Sequence, residues 1–204
     1  HLAAVPCSAE RVQVTSESAF TITGGLGGLG LHVARWLLTQ RRVTLTLASR
    51  RGVAARSDQG LQDLLPSLAS AYPDVLRITR CDVSQAAEVV PLLTRGASGR
   101  APRGLLHMTE VLRDRLLRNM GCADMELPFG PKSVAAHHLH ATSSCSRYDV
   151  LMLFSSVAGL YGNVGSGNHA SACAYLNSLA TSRNSMALVG HSLALPGTLG
   201  AGST

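Results

Sequence analysis

The chain has 204 residues, 46% of them hydrophobic and 15% charged, which is long enough for one well-buried domain and short for two. That composition excludes a disordered chain, and the longest strongly apolar run, Val150 to Phe154 with its neighbours, is far too short to span a bilayer. The formal charge is +6, gathered at Arg41-Arg42, Arg50-Arg51 and Arg113/Arg115/Arg118 without interleaved aromatics, so nucleic acid is not an expected partner, whereas phosphate on a small ligand or an acidic carrier protein suits those arginines.

In chain order, the first segment is polar and irregular, with a candidate edge strand at Val12 to Val14. Phe20 to Thr23 reads as the first core strand. Gly28 to Gln40 reads as a helix, with Leu29, Val33, Trp36 and Leu37 at helical spacing. Val43 to Ala48 is β-branched and apolar, as a strand buried on both faces requires. A helix at Gln59 to Ala71, a strand at Asp74 to Thr79, a helix at Gln85 to Leu93 and a short strand at Gly104 to His107 follow. A long helical region comes next, with a break near Leu127 to Pro131. Then come a strand at Asp149 to Phe154, a helix at Asn168 to Arg183 and a last strand at Val189 to Leu195. This βα alternation implies an α/β fold with a parallel sheet and helices on both faces.

The five cysteines, Cys7, Cys81, Cys122, Cys145 and Cys173, are odd in number and show no metal or redox spacing, which reads as reduced thiols in a cytosolic protein. The first residues lack a basic start followed by an apolar core, so no secretory signal is expected. His1 is not an initiator methionine, and the chain is expected to be cut from something longer.

The richest stretch is the turn Gly24-Gly25-Leu26-Gly27-Gly28-Leu29-Gly30. Glycines at such a turn serve the tight bend, the approach of backbone to a pyrophosphate and the packing of helix on strand. Here the turn follows a strand, opens a helix and leads to a second strand, the context a dinucleotide site requires. Amides at the helix N-terminus then face the phosphates. The second strand ends in Ser49-Arg50, where an NAD-preferring site carries Asp or Glu; an arginine there suits the 2′-phosphate of NADP.

Further blocks follow in order: Cys81-Asp82-Val83-Ser84, Gly104-Leu105-Leu106-His107, Pro131-Lys132, Leu139-His140, Phe154-Ser155-Ser156-Val157-Ala158-Gly159 and Leu176-Asn177-Ser178-Leu179-Ala180. With the glycine turn and Arg50-Arg51, they make the span from Phe20 to Leu199 resemble a short-chain dehydrogenase/reductase. More narrowly, it is similar to the ketoreductase domain of a type I polyketide or fatty acid synthase. The resemblance implies a Rossmann-like doubly wound parallel sheet. It implies a linker or edge strand at 1–19 and an NADP-binding domain at 20–204, expected to be truncated at its C-terminal end. It also implies NADPH held by Gly24, Gly25, Leu26, Gly27, Gly28, Leu29, Gly30, Ser49, Arg50, Asp82, Val83, Met108 and Lys132, and no metal. The implied substrate is a β-ketoacyl group on the phosphopantetheine of a separate acyl carrier protein domain. The implied setting is a cytoplasmic multienzyme with other synthase domains.

In the family reaction hydride reaches the carbonyl carbon and an alkoxide develops on oxygen. A tyrosine gives it a proton, a serine hydrogen-bonds it, a lysine lowers the tyrosine pKa and holds the nicotinamide ribose, and an asparagine completes a proton path. The resemblance puts the lysine at Lys132, the serine at Ser156, the tyrosine at position 169 and the asparagine at position 173. In this chain those last two positions are His169 and Cys173. Imidazole is shorter than phenol, and a thiol does not relay as an amide does. Met108-Thr109-Glu110 stands where the family has a small pair and a glycine, adding bulk and charge beside the cofactor. The segment with two aspartates reads Leu112-Arg113-Asp114, and the block expected to hold tryptophan reads Leu193 to Gly197 without one.

These changes lead us to expect reduction that is weak or lost. Two alternatives stay open: an active reductase with His169 as proton donor, its pKa lowered by Lys132, and a structural synthase domain that no longer binds NADPH. His137, His138 and His140 read as surface or packing histidines, Tyr161 and Tyr175 as packing residues. Cys173 lies one helical turn from His169, so a Cys–His pair is possible, though no oxyanion site accompanies it in the sequence.

Overall fold

The computed structural model describes residues 18–40, 43–54, 61–95, 99, 101–143 and 148–197. The candidate strand at Val12 to Val14, the pair Arg41-Arg42, Cys7 and Cys145 lie outside the described residues. The six strands are β1 (Ala19–Thr23), β2 (Thr44–Ser49), β3 (Leu76–Arg80), β4 (Gly104–His107), β5 (Val150–Ser156) and β6 (His191–Leu195). They form one sheet in the order β3-β2-β1-β4-β5-β6, and every neighbouring pair is parallel. The order reverses between β1 and β4, so a crevice opens beyond the carboxyl ends of the strands, where doubly wound sheets bind their ligands.

Helices cover both faces. On one, α1 (Gly28–Gln40) and α2 (Leu61–Ala71) pack with Ile22, Leu45, Leu47 and Leu106. On the other, α3 (Ala86–Thr94), α5 (Ala135–Ser143) and α7 (Gly167–Ser185) pack with Leu105, Leu151 and Leu153. Adjacent residues Leu105 and Leu106 thus enter opposite cores, as the two-residue period of a strand dictates. In α1 the buried stripe is Leu31, Ala34, Leu37 and Leu38, while Trp36, expected on the apolar face, is 59% exposed.

The expected helical region after β4 is not one helix. Residues 108–116 carry no regular structure beyond an isolated bridge from Arg115 to Ser166, a 3₁₀ turn spans Leu117–Asn119, and α4 covers Cys122–Phe129. The expected break near Leu127 to Pro131 is a π-turn at Gly130–Val134 leading straight into α5. Pro131 has no amide hydrogen to donate, and a single widened turn accommodates it without ending the helix. A short helix not anticipated from the pattern, α6 (Ala158–Tyr161), precedes α7. Strand β3 begins at Leu76 because residues 73–75 form a turn. Among the described residues no helix is long and apolar enough to cross a membrane.

Candidate active site

The strand ends enclose an open cleft of about 1390 Å³. One end is bordered by the glycine turn and Arg50, the other by Lys132, Ser156 and His169. Of the thirteen residues expected to hold the cofactor, all but Gly25 border this cleft. Gly25 packs inward instead: a Cβ there would lie 2.9 Å from the Leu47 side chain.

The cradle is built from backbone. Gly24 has φ of +73°, and its amide donates to Ala48 O at 2.9 Å, tying the end of β1 to the end of β2. A Cβ on Gly24 would stand 2.8 Å from the Met108 and Thr109 backbone, and one on Gly30 would stand 2.7 Å from Gly24 O. Both approaches require glycine, and they bring the opening turn of α1 against the strand ends. Arg50 is exposed at the rim, and Ser49 Oγ accepts the Gly52 amide at 3.0 Å. Asp82 Oδ1 accepts both the Ser84 amide, at 3.0 Å, and the Ser84 hydroxyl, at 2.7 Å, fixing the turn after β3. Burial, with help from Glu88 and Asp82, pushes the Cys81 thiol up to about 11, so it stays protonated. This donor set, with glycines at the turn, a helix N-terminus and a basic rim, fits a phosphorylated dinucleotide.

A buried histidine couples the cradle to the other end. His107, at the end of β4, is 1% exposed, and burial, assisted by the Lys132 charge, pushes its pKa down to about 4. The Lys132 carbonyl, 2.9 Å from Nε2, is an acceptor only, so Nε2 carries the proton. Nδ1 therefore accepts the Thr23 hydroxyl, at 2.8 Å. Thr109 Oγ1 donates to Pro131 O. Two consecutive carbonyls of the π-turn, those of Pro131 and Lys132, are thus both held. Sequence reasoning missed the roles of His107, Thr23 and Thr109, although His107 stands in one of the quoted blocks.

Lys132 is 3% exposed, and its ammonium pairs with Glu110 Oε1 at 3.1 Å. The same carboxylate oxygen lies 3.6 Å from His169 Nε2. Burial first, then the Lys132 charge, holds the His169 pKa below the ordinary imidazole value, while Glu110 and Asp114 oppose the shift. The lowering expected from Lys132 is present, but desolvation is the larger cause. His169 Nδ1 is buried without a hydrogen-bond partner. Cys173 Sγ lies 3.5 Å from His169 Nε2, so the pair suggested by the one-turn spacing forms. Cys173 is fully buried, does not border the cleft and meets it only through His169. Its wall is tight, since a Cβ on Gly159 would come within 2.7 Å of Cys173 Cβ.

Ser155 and Ser156 alternate at the end of β5. Both border the cleft, but Ser155 Oγ donates to Cys173 O at 3.2 Å and docks the strand on α7, whereas Ser156 Oγ accepts the Ala158 amide at 3.2 Å. Asn168, also missed from sequence, donates through Nδ2 to Arg113 O at 2.8 Å and Asp124 O at 2.6 Å, and its Oδ1 accepts the His169 amide at 2.8 Å. It ties the loop after β4 to the start of α7 and so sets where His169 sits. Neither neighbouring tyrosine takes the vacant role. Tyr175 packs on the core, and Tyr161, expected to pack, is 87% exposed and does not border the cleft. His140 accepts Arg183 NH1 at Nδ1, 2.8 Å away, and belongs to the packing of α5 on α7.

Similarity to known proteins agrees with this geometry. The chain is 34% identical over 180 residues to "Polyketide synthase GfsB" of Streptomyces halstedii, an alignment that covers 88% of this chain and 3% of that protein. It is 35% identical over 174 residues to "Spectinabilin polyketide synthase system protein NorB" of Streptomyces orinoci, covering 85% of this chain and 8% of that one. The chain therefore spans only a small part of these multidomain relatives. Its structure is similar to the ketoreductase from the first module of phoslactomycin biosynthesis in Streptomyces sp. HK803, with a TM-score of 0.78 and 30% identity over 88% of this chain and 41% of that one. It is likewise similar to the first ketoreductase of the tylosin synthase, with a TM-score of 0.76 and 28% identity over 95% of this chain and 42% of that one. Residues 18–198 match the family model described as KR domain, and the chain belongs to that family, the ketoreductase domains of polyketide synthases, whose reaction is NADPH-dependent reduction.

Proposed function

We propose that this domain binds NADPH in the cleft but reduces a β-ketoacyl thioester weakly or not at all. The observation that carries this reading is the Glu110–Lys132 ion pair beside a histidine in the proton donor's place. The glycine turn and the first amides of α1 would hold the pyrophosphate, Arg50 with Ser49 the 2′-phosphate, Asp82 and Val83 the adenine end, and Met108 and Lys132 the nicotinamide end. When bound, NADPH supplies hydride. The chain's own task is to receive the developing negative charge on the substrate oxygen and to protonate it.

Ser156 offers a hydroxyl at the right end of the cleft. The proton is the difficulty. The lowered pKa leaves His169 neutral near pH 7, and a neutral imidazole holds its N–H weakly acidic. The tautomer with hydrogen on Nε2 faces the Glu110 carboxylate, which competes for that hydrogen against a ketone oxygen. Lys132 meanwhile spends its charge on Glu110. Loss of the proton donor alone removes a factor of about 10² to 10⁴.

The substrate would arrive on the phosphopantetheine of an acyl carrier protein domain, within a cytoplasmic synthase that carries other catalytic domains. The relatives' membership in such synthases supports this setting. The test is a titration of the protein with NADPH, read by nicotinamide fluorescence, followed by a β-ketoacyl thioester. Saturable binding with slow or absent oxidation is the expected result. Turnover comparable to that of an efficient reductase overturns the reading, as does the absence of binding by folded protein.

A further inference from the structure

We propose that Glu110 is a latch on the nicotinamide end of the cleft: its carboxylate holds the Lys132 ammonium and must let go before the cofactor's ribose can be bound there. The inference rests on the reading of the cleft as a dinucleotide site, and adds to it a residue that sets the affinity of one half of the ligand only.

Three observations carry it. First, Lys132 cannot retreat. Its side chain is 3% exposed, its carbonyl accepts from His107, and the preceding carbonyl, that of Pro131, accepts from Thr109. Second, Glu110 can. Its side chain is 35% exposed, it lies on the irregular segment after β4, and it borders the cleft beside Thr109 and Lys132. Third, the competition is uneven. A carboxylate bonds an ammonium through charge as well as hydrogen, roughly twice as strongly as a neutral hydroxyl does. A ribose offers only hydroxyls. The closed pair, at 3.1 Å, is therefore the resting arrangement, and cofactor binding is penalised by the fraction of molecules in which the latch is open.

The adenosine half of the cleft stands apart from this contact. The contacts described above for Glu110, with Lys132 and His169, lie at the other end from Arg50, Asp82 and the glycine turn, so a ligand confined to that half is expected not to meet the latch. This separation gives the test two probes. Adenosine 2′,5′-bisphosphate occupies the adenosine half alone, whereas NADPH occupies both halves. Each is titrated by calorimetry into the native protein and into Glu110→Gln, which keeps the size of the side chain and an oxygen for Lys132 while removing the charge. Glu110→Ala is the second variant, and circular dichroism melts establish that each is folded.

The latch predicts that Glu110→Gln binds NADPH at least about fivefold more tightly than the native protein and binds the bisphosphate within about twofold. Glu110→Ala should show the same selectivity. Unchanged NADPH affinity in both folded variants overturns the latch while bisphosphate binding still upholds the cradle. An equal gain for both ligands also overturns it, since the effect would then be general. If no folded form binds either ligand, the cradle reading fails and the latch fails with it.

Discussion

The two ends of the cleft differ in what they are made of. The end proposed for the adenosine half is mostly backbone, rimmed by Arg50 and Asp82: a glycine turn, a helix N-terminus and strand ends whose geometry admits no Cβ at Gly24 or Gly30. The end proposed for the nicotinamide is side chain: Lys132, Glu110, His169 and Ser156, projecting from the π-turn, the loop after β4, α7 and β5. Backbone geometry tolerates almost no substitution without harming the fold. Side chains on a finished scaffold change at little structural cost, so catalysis can be lost while the fold and the cradle stay whole. The Thr23–His107–Lys132 chain of hydrogen bonds is where the two ends meet.

Rebuilding the reacting end should have the largest effect. A phenol at position 169 reaches beyond imidazole toward the Glu110 carboxylate, already 3.6 Å from Nε2, so His169→Tyr alone should stay inert. The triple variant Glu110→Gly, His169→Tyr, Cys173→Asn should raise β-ketoacyl reduction by at least about 10²-fold over the native protein. NADPH oxidation rates measure both. An active single variant would show that Glu110 does not obstruct, and an inert, folded, NADPH-binding triple variant would show that the damage is broader.

Next comes the link between the ends. An unfolded imidazole takes up its proton near pH ~6.5, the folded His107 only near about 4. Between those values the unfolded state binds more protons, so stability is present above the window and falls as pH drops through it. His169 and His140 shift in the same direction. The His107 contribution alone is on the order of 3 kcal/mol, read by urea unfolding at about pH 7 and about pH 4.5. His107→Phe should flatten that slope, and an unchanged slope would remove His107 from the account.

How much of this was legible beforehand follows the same division. The glycine turn, the strands and the parallel order were readable because each rests on local spacing and residue type. Lys132, Ser156 and the altered positions 169 and 173 were readable through the family blocks. Glu110 stands out in the sequence as misplaced, but its partner does not, because the contact joins residues 22 positions apart, one of them in a π-turn that no periodicity signals. His107, Thr109 and Asn168 are silent in the sequence for the same reason: their partners, mostly backbone atoms, are brought near only by the finished fold. Spacing alone puts Trp36 on the apolar face because the several apolar residues of α1 allow two stripes, and packing selects Leu31, Ala34 and Leu38.

Smaller changes sharpen the contrast from the cradle side. Gly24→Ala puts a side chain at φ of +73° and 2.8 Å from the Met108 backbone, and should cost about 1–3 kcal/mol from the backbone strain alone, with loss of NADPH binding. Urea unfolding measures the first, and a variant as stable as the native chain would contradict it. Arg50→Ala should weaken NADPH roughly tenfold and leave NADH unaffected, by losing a charge-assisted phosphate bond. Equal losses for both cofactors would move the 2′-phosphate elsewhere. Tyr161→Ser, at an exposed position off the cleft, should change neither binding nor turnover.

The most direct test of the central claim, an intact cradle beside a disabled reacting end, is NADPH fluorescence and NADPH oxidation followed together on one folded sample of the native protein. The account predicts a saturable rise in nicotinamide fluorescence that persists after a β-ketoacyl thioester is added. Rapid loss of that signal on adding the thioester, or no saturable rise at all, would contradict it.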